Sequence, residues 1–253
     1  MPTADPTQRF SSRVDNYVRY RPGYPAEVLA LLEEQCGLTP DAAVADIASG
    51  TGLWTRLLLE NGNPVFGVEP NQDMRNAGEE FLRAYPRFTS VAGAAEATTL
   101  PDRSVDMVTA AQAAHWFDRP RARREFGRIL KPGGWTVLLW NERLTDSTPF
   151  LRAYEQLLLD FGTDYKEVRH ERTTAEIRDF FAPSTYQEAL FKYRQEFDYE
   201  GLEGRLLSSS YTPQPGHAKY APMLQALHRI FDQHQHSRQV HFDYNTRVFF
   251  GVL

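Results

Sequence analysis

Between residues 26 and 140, short apolar runs alternate with segments whose apolar side chains recur at helical spacing. This alternation restricts the chain to an α/β sheet with parallel strands. The runs are 43–48, 65–68, 88–91, 105–110 and 135–140. They are short and mostly apolar, as suits buried parallel strands. The helical segments carry Val28, Leu31 and Leu32 before Gly37, then Leu53, Leu57 and Leu58 before Gly62. Met74, Ala77 and Phe81 mark a third, and Ala122, Phe126, Ile129 and Leu130 a fourth that Lys131-Pro132-Gly133-Gly134 halts. Right-handed crossovers between such units lead to a doubly wound, mostly parallel sheet.

Beyond residue 140 the pattern changes. Phe150 to Phe161 reads as a helix, Leu190 to Phe197 as a strand and Met223 to Phe231 as a helix. Val240 to Leu253 is rich in β-branched and aromatic residues and reads as a long strand that completes the sheet. Residues 141–235 are expected to mix cap helices with returning sheet. At the other end, Phe10, Tyr17, Tyr20 and Tyr24 are interleaved with Arg13, Arg19 and Arg21 before Pro22-Gly23 and Pro25. Such a segment either lies over the core or forms a lid over a ligand site.

Composition narrows the function classes. The 253 residues carry a net charge of −5, without the basic excess of a chain built to grip nucleic acid. The single cysteine, Cys36, excludes an intrachain disulfide and a cysteine-rich zinc site. His234 and His236 are two apart, which does not put them on one helix face, so no metal is expected. No apolar run approaches a membrane span, and the opening residues lack a signal-peptide pattern, so the expectation is a cytoplasmic protein with no membrane partner.

The expected ligand site lies beyond the carboxyl ends of the strands, where the strand order reverses. The first run ends in Asp46-Ile47-Ala48-Ser49-Gly50-Thr51-Gly52. Gly50 and Gly52 let a ligand approach the backbone, and the helix start that follows favours an anionic group. Glu69 ends the second run, 23 residues after Asp46. An acid at about that separation meets ribose hydroxyls in nucleotide-binding folds. The dinucleotide pattern Gly-x-Gly-x-x-Gly is incomplete, because Thr55 stands at its third position. Asp46 before the glycines would repel a pyrophosphate and favour a ligand bearing an ammonium group.

Val44-Ala45-Asp46-Ile47-Ala48-Ser49-Gly50-Thr51-Gly52 resembles the first motif of the class I S-adenosylmethionine-dependent methyltransferases. The rest of their series follows in order over roughly residues 26–140. Glu69-Pro70-Asn71 with Met74 resembles their ribose acid and adenine-flanking segment. Gly93-Ala94-Ala95-Glu96 followed by Leu100-Pro101-Asp102 resembles their adenine-side loop. Residues 104–108 leading into Ala111-Gln112-Ala113-Ala114-His115-Trp116-Phe117 resemble their fourth strand and its active-site end, and Leu130 to Gly134 their turn before the fifth. Arg21-Pro22-Gly23-Tyr24-Pro25 and Ser208-Ser209-Ser210-Tyr211 are similar to the small-molecule type 11 group, which includes trans-aconitate methyltransferases.

The resemblance implies a Rossmann-like, seven-stranded fold with an N-terminal lid (1–25), a cofactor-binding core (26–140), and cap helices with C-terminal strands (141–253), all one structural domain. It implies S-adenosyl-L-methionine held by Asp46, Ala48, Ser49, Gly50, Gly52, Glu69, Pro70, Met74, Ala95, Glu96, Ala111 and Gln112. His115 would face the acceptor as a general base, or else pack on Trp116. Tyr20, Arg21, Trp116 and Tyr211 are the acceptor-side candidates. Arg205 could meet a substrate carboxylate, although a helix-surface position is the commoner fate of such a residue. Two departures stand out. The family often has glycine where Ala48 stands, and alanine is expected there only at negative φ. It often has aspartate where Ala94 stands, leaving backbone groups or Glu96 to meet the adenine.

The implied reaction is in-line methyl transfer to a small-molecule acceptor, in which alignment and water exclusion do most of the work. An NAD(P)-dependent oxidoreductase shares the sheet, the glycine turn and the ribose acid; Thr55 and Asp46 argue against it. A binding protein of the same fold without activity is the other alternative. Nucleic-acid methylation is disfavoured by the absence of an Asn/Asp-Pro-Pro-aromatic loop.

Overall fold

The computed structural model describes residues 19–165 and 174–253. The first half contains α1 (Glu27–Cys36), β1 (Val44–Ile47), α2 (Leu53–Glu60), β2 (Val65–Val68), α3 (Gln72–Leu82), β3 (Phe88–Val91) and β4 (Val105–Ala111). A 3-10 turn (Ala114–Trp116), α4 (Arg119–Ile129) and β5 (Leu130–Arg143) follow. The second half contains α5 (Pro149–Phe161), α6 (Thr174–Phe181), β6 (Gln187–Phe197), α7 (Tyr199–Leu207), α8 (Tyr220–His234) and β7 (Val240–Val252).

The seven strands form one sheet in the order β3-β2-β1-β4-β5-β7-β6. The first five pair in parallel, and β7 runs antiparallel between β5 and β6. The order reverses between β1 and β4, which makes the carboxyl ends of these two strands the expected ligand crevice. Side-chain alternation divides the core into two layers. Ala45, Ile47, Val108, Ala110, Leu138, Trp140 and Phe249 face α4 and α6 through Phe126, Ile129, Phe180 and Phe181. Val44, Met107, Val137, Leu139, Val248 and Phe250 face Val28, Leu32, Trp54, Leu58 and Leu82 on the other side. A third cluster joins α5, α7 and α8 to the N-terminal half of β7 through Tyr154, Leu158, Leu202, Leu227, Phe242 and Tyr244.

Of three further features, the first and third depart from expectation and the second falls within the expected mixture of cap helices and sheet. Lys131–Gly134 does not separate helix from strand: β5 begins at Leu130, and the segment bulges, with Val105 opposite Leu130 and Met107 opposite Trp135. Lys131 Nζ holds both oxygens of Asp106 at 2.8 Å across this bulge. Second, the mixed region contains α7, despite glycines at 201 and 204 that weaken a helix. A Cβ on Gly204 would lie 2.1 Å from the Tyr20 ring, so the glycine is what lets Tyr20 pack there. Third, Arg205 is buried at 5% exposure instead of lying on the helix surface. The whole α7–β7 layer closes over it.

Residues 19–25 bind the cap to the sheet. Arg21 Nη2 donates to the Ser208 carbonyl (3.0 Å), and Asn141 Nδ2 donates to the Gly23 carbonyl (2.7 Å). Tyr24 meets Trp54 edge-on at 5.3 Å. Phe10, Arg13 and Tyr17 lie outside the described residues. No described helix is long and apolar enough to cross a membrane.

Candidate functional site

The turn after β1 is built by unusual backbone. Ala48 (φ 54), Gly50 (φ 58) and Gly52 (φ 86) all lie in the left-handed region. Gln112, facing them from the end of β4, does too (φ 61). The expectation of negative φ at Ala48 is therefore wrong. The Ser49 N–H must turn back to the Val68 carbonyl (3.2 Å) and the Gly52 N–H to the Ser49 carbonyl (2.9 Å), and that path requires the left-handed turn. For a residue with a Cβ this conformation costs about 1–2 kcal/mol. Ala48→Gly is accordingly expected to raise stability by up to about 1 kcal/mol in urea unfolding, after glycine's own entropy cost. A lower midpoint would contradict the strain argument.

Gly52 is the α2 N-cap, and a Cβ there would lie 2.6 Å from Leu82 Cδ1. A Cβ on Gly50 would point at Met74 Cε, 3.4 Å away. The glycines keep the turn open beside Met74, and Met74 is itself held by the Asn71 cap of α3. The buried Thr51 hydroxyl has no hydrogen-bond partner among the described residues.

Two buried acids flank the turn. Glu69, at the end of β2, accepts the Gly50 N–H (2.9 Å) on one oxygen and the Asn71 N–H (2.8 Å) on the other. Burial raises its pKa, against the opposing pull of those two N–H groups and of Arg75. Arg75 Nη1 also donates to the Glu69 carbonyl (2.9 Å). Asp46 is 1% exposed and accepts Thr55 Oγ1 (2.6 Å) and Thr109 Oγ1 (3.2 Å). Burial pushes its pKa up to about 7, although both threonine hydroxyls favour the charged form. Each carboxylate oxygen retains a further lone pair for a ligand donor.

The other candidates divide. Ala111 ends β4, Gln112 follows it, and Gln112 Nε2 donates to the Asn141 carbonyl (3.0 Å). Pro70 follows Glu69, and its carbonyl accepts Arg75 Nη1 (3.3 Å). Ala95 is buried in the loop after β3, and Glu96 accepts the Asp118 N–H at the start of α4 (2.7 Å). His115 is half-buried, with its ring 4.6 Å from that of Trp116, which is 43% exposed. Tyr20 packs against Gly204 of α7, and Arg21 Nη2 donates to the Ser208 carbonyl. Tyr211 is half-buried in the cap; burial raises its phenol pKa, but Arg205, Arg21 and Arg143 together outweigh that and lower it.

Thr51, Thr55 and Thr109 are the site residues that sequence reading missed. Thr55 counted there only as a missing glycine. A buried hydroxyl one turn into α2, beside Trp54 and Leu58, was the available signal.

The arrangement fits an S-adenosyl nucleoside: a glycine cradle, an orphaned hydroxyl, a diol-binding acid and a second acid suited to an ammonium group. Residues 45–138 match a family model described as "Methyltransferase domain". The chain is 40% identical over 141 residues to an uncharacterized methyltransferase of Mycobacterium tuberculosis, covering 55% of this chain and 54% of the relative. An uncharacterized methyltransferase of Schizosaccharomyces pombe is 29% identical over 150 residues, covering 59% and 58%. The matches thus span little more than half the length of these relatives. Among solved structures, one described as a type II methyltransferase from Anaeromyxobacter dehalogenans has a TM-score of 0.66 at 24% identity, covering 92% of this chain and 97% of that one. The fold is shared with it. With the cradle and both acids in place, residues 45–138 are similar to a methyltransferase domain, and the fold is that of solved methyltransferase structures.

Proposed function

We propose that this chain transfers the methyl group of S-adenosylmethionine to a small-molecule acceptor. The observation that carries the reading is the Glu69 carboxylate, buried and bonded to the Gly50 N–H, which ties the ribose acid to the glycine turn. In this reading Glu69 orients the ribose diol, and Met74 and Ala95 flank the adenine. Asp46, through its free lone pairs, faces the amino acid end along with Gln112. When bound, the cofactor supplies a methyl group on a positively charged sulfur, already activated for displacement.

The protein's own contribution is alignment and exclusion of water, which together supply as much as ~7–11 kcal/mol. Ser49, Gly50 and Gly52 fix the nucleoside through their backbone. His115 takes a proton where the acceptor must lose one. Trp116 lies against the His115 ring at a tilt of 41° and walls the acceptor side. The finer assignment, to the small-molecule type 11 group, is supported by Arg21 Nη2 meeting the Ser208 carbonyl: the two segments that resemble that group touch each other. In this reading residues 19–25 belong to the lid segment; residues 1–18 lie outside the described residues.

The test is turnover with methyl-labelled S-adenosylmethionine against an acceptor panel and a small-molecule cell extract. Label is expected in a low-mass product. Cofactor binding with no label in any pool would favour a non-catalytic binding protein instead.

A further inference from the structure

The cap holds a buried cationic cluster that the cofactor does not use. Arg205, on α7, is 5% exposed. Its hydrogen-bond partners are two hydroxyls, Tyr244 Oη at 3.4 Å from Nε and Ser209 Oγ at 3.3 Å from Nη1. Among the described residues it has no carboxylate partner. Arg143, at the end of β5, pairs through Nη2 with the buried Glu155 of α5. Its Nη1 is buried and has no hydrogen-bond partner among the described residues. The Arg143 guanidinium lies over the Tyr154 ring, 5.2 Å from its centroid, and the buried Tyr154 hydroxyl also has no hydrogen-bond partner among the described residues. Arg205 and Arg143 both act electrostatically on Tyr154 and on Tyr211.

Burying a charge without a counter-charge is expensive. Among the described residues Arg205 has no carboxylate partner, and Arg143 Nη1 and Tyr154 Oη are idle donors that a ligand could engage. We infer that Arg205, Arg143 and Tyr154 form a binding site for a carboxylate group of the methyl acceptor. A planar carboxylate matches the fork of a guanidinium and accepts a hydroxyl proton as well.

The site's position fits a handle for orienting the acceptor. Arg143 stands two residues beyond Asn141, whose carbonyl holds Gln112. Two strand residues are roughly 7 Å. The anchored carboxylate is therefore separated from the cofactor side by a few bonds of acceptor, and the methylated atom is a different group. The inference rests on the methyl-transfer reading for the ligand's role, but not for its binding.

The probes are succinate, its neutral counterpart succinamide, and glycerol 3-phosphate, titrated into the full chain with and without S-adenosylhomocysteine. Succinate is expected to bind and succinamide not. Arg205→Met should weaken succinate by about tenfold or more, since a charge-assisted hydrogen bond is worth ~1.5–3 kcal/mol. Its affinity for S-adenosylhomocysteine should stay at the parent value. Tyr154→Phe keeps the ring, so it is expected to fold, and it should weaken succinate by a few-fold. Equal binding of succinate and succinamide, binding of neither, or full succinate affinity in both variants would overturn the inference. Binding of glycerol 3-phosphate in preference to succinate would replace the carboxylate with a phosphate. A protein that binds succinate but not S-adenosylhomocysteine would retain this site and sink the cofactor reading alone.

Discussion

Replacing Glu69 by alanine is expected to weaken S-adenosylhomocysteine about a hundredfold, a loss of ~2.7 kcal/mol. The carboxylate does two jobs. It offers lone pairs to a ribose diol, and it fixes the glycine turn through the Gly50 and Asn71 N–H groups. Removing it leaves two buried donors without an acceptor, each costing ~1–3 kcal/mol. Stability should therefore fall as well, by about 2–4 kcal/mol in urea unfolding. Glu69→Gln separates the two jobs. Its amide oxygen can accept one N–H, so it should recover part of the stability while recovering little of the affinity. If Glu69→Ala bound the ligand like the parent, the ribose acid would be elsewhere.

A second large effect is expected from Asp46 and pH. Its folded-state pKa is raised to about 7 from 3.8. Between these values the folded chain holds a proton that the unfolded chain has released, so stability falls as pH rises through that window. Each unit is worth about 1.4 kcal/mol, and the ionised carboxylate thus costs the ligand-free fold several kcal/mol above pH 7. Glu69 is shifted in the same direction by burial and adds to the slope. A ligand ammonium group favours the ionised form, so binding should release a proton. S-adenosylhomocysteine affinity is then expected to rise by as much as about tenfold per pH unit up to pH 7 and to level off above it. Asp46→Asn should flatten that affinity profile and much of the stability slope, leaving the part due to Glu69. Urea midpoints and titrations at pH 5, 6, 7 and 8 measure both. An unchanged slope in the variant would remove Asp46 from the linkage.

The half of the fold that carries the cofactor turn was legible because buried parallel strands advertise themselves. Val65–Val68 is apolar without interruption and Val105–Ala110 nearly so, with Asp106 and Thr109 among apolar residues, so their type needed no tertiary information. Asp46 and Glu69 were legible for a related reason: each is a polar residue against an apolar run, Asp46 near the end of β1 before the glycine turn and Glu69 between β2 and Pro70. The threonines were not. Thr109 reads as an ordinary strand residue, and only the pairing of β1 with β4 sets it opposite Asp46. Arg205 was misplaced for the same reason. A helical arginine looks solvated until β7 and α5 pack over it. Ala48 shows the limit of backbone reasoning from one residue, because neighbouring hydrogen bonds imposed a φ that its own side chain disfavours. The bulge at Lys131–Gly134 reads as a turn in sequence, since the ladder that continues through it depends on β4.

The central claim is that the turn between β1 and α2, with Glu69 beside it, binds an S-adenosyl nucleoside. Calorimetric titration of the parent chain and Glu69→Ala with S-adenosylhomocysteine and with NADH, above pH 7, tests it most directly. The account predicts one-to-one binding of S-adenosylhomocysteine to the parent, about a hundredfold weaker binding to the variant, and no binding of NADH. Binding of NADH without S-adenosylhomocysteine would contradict it.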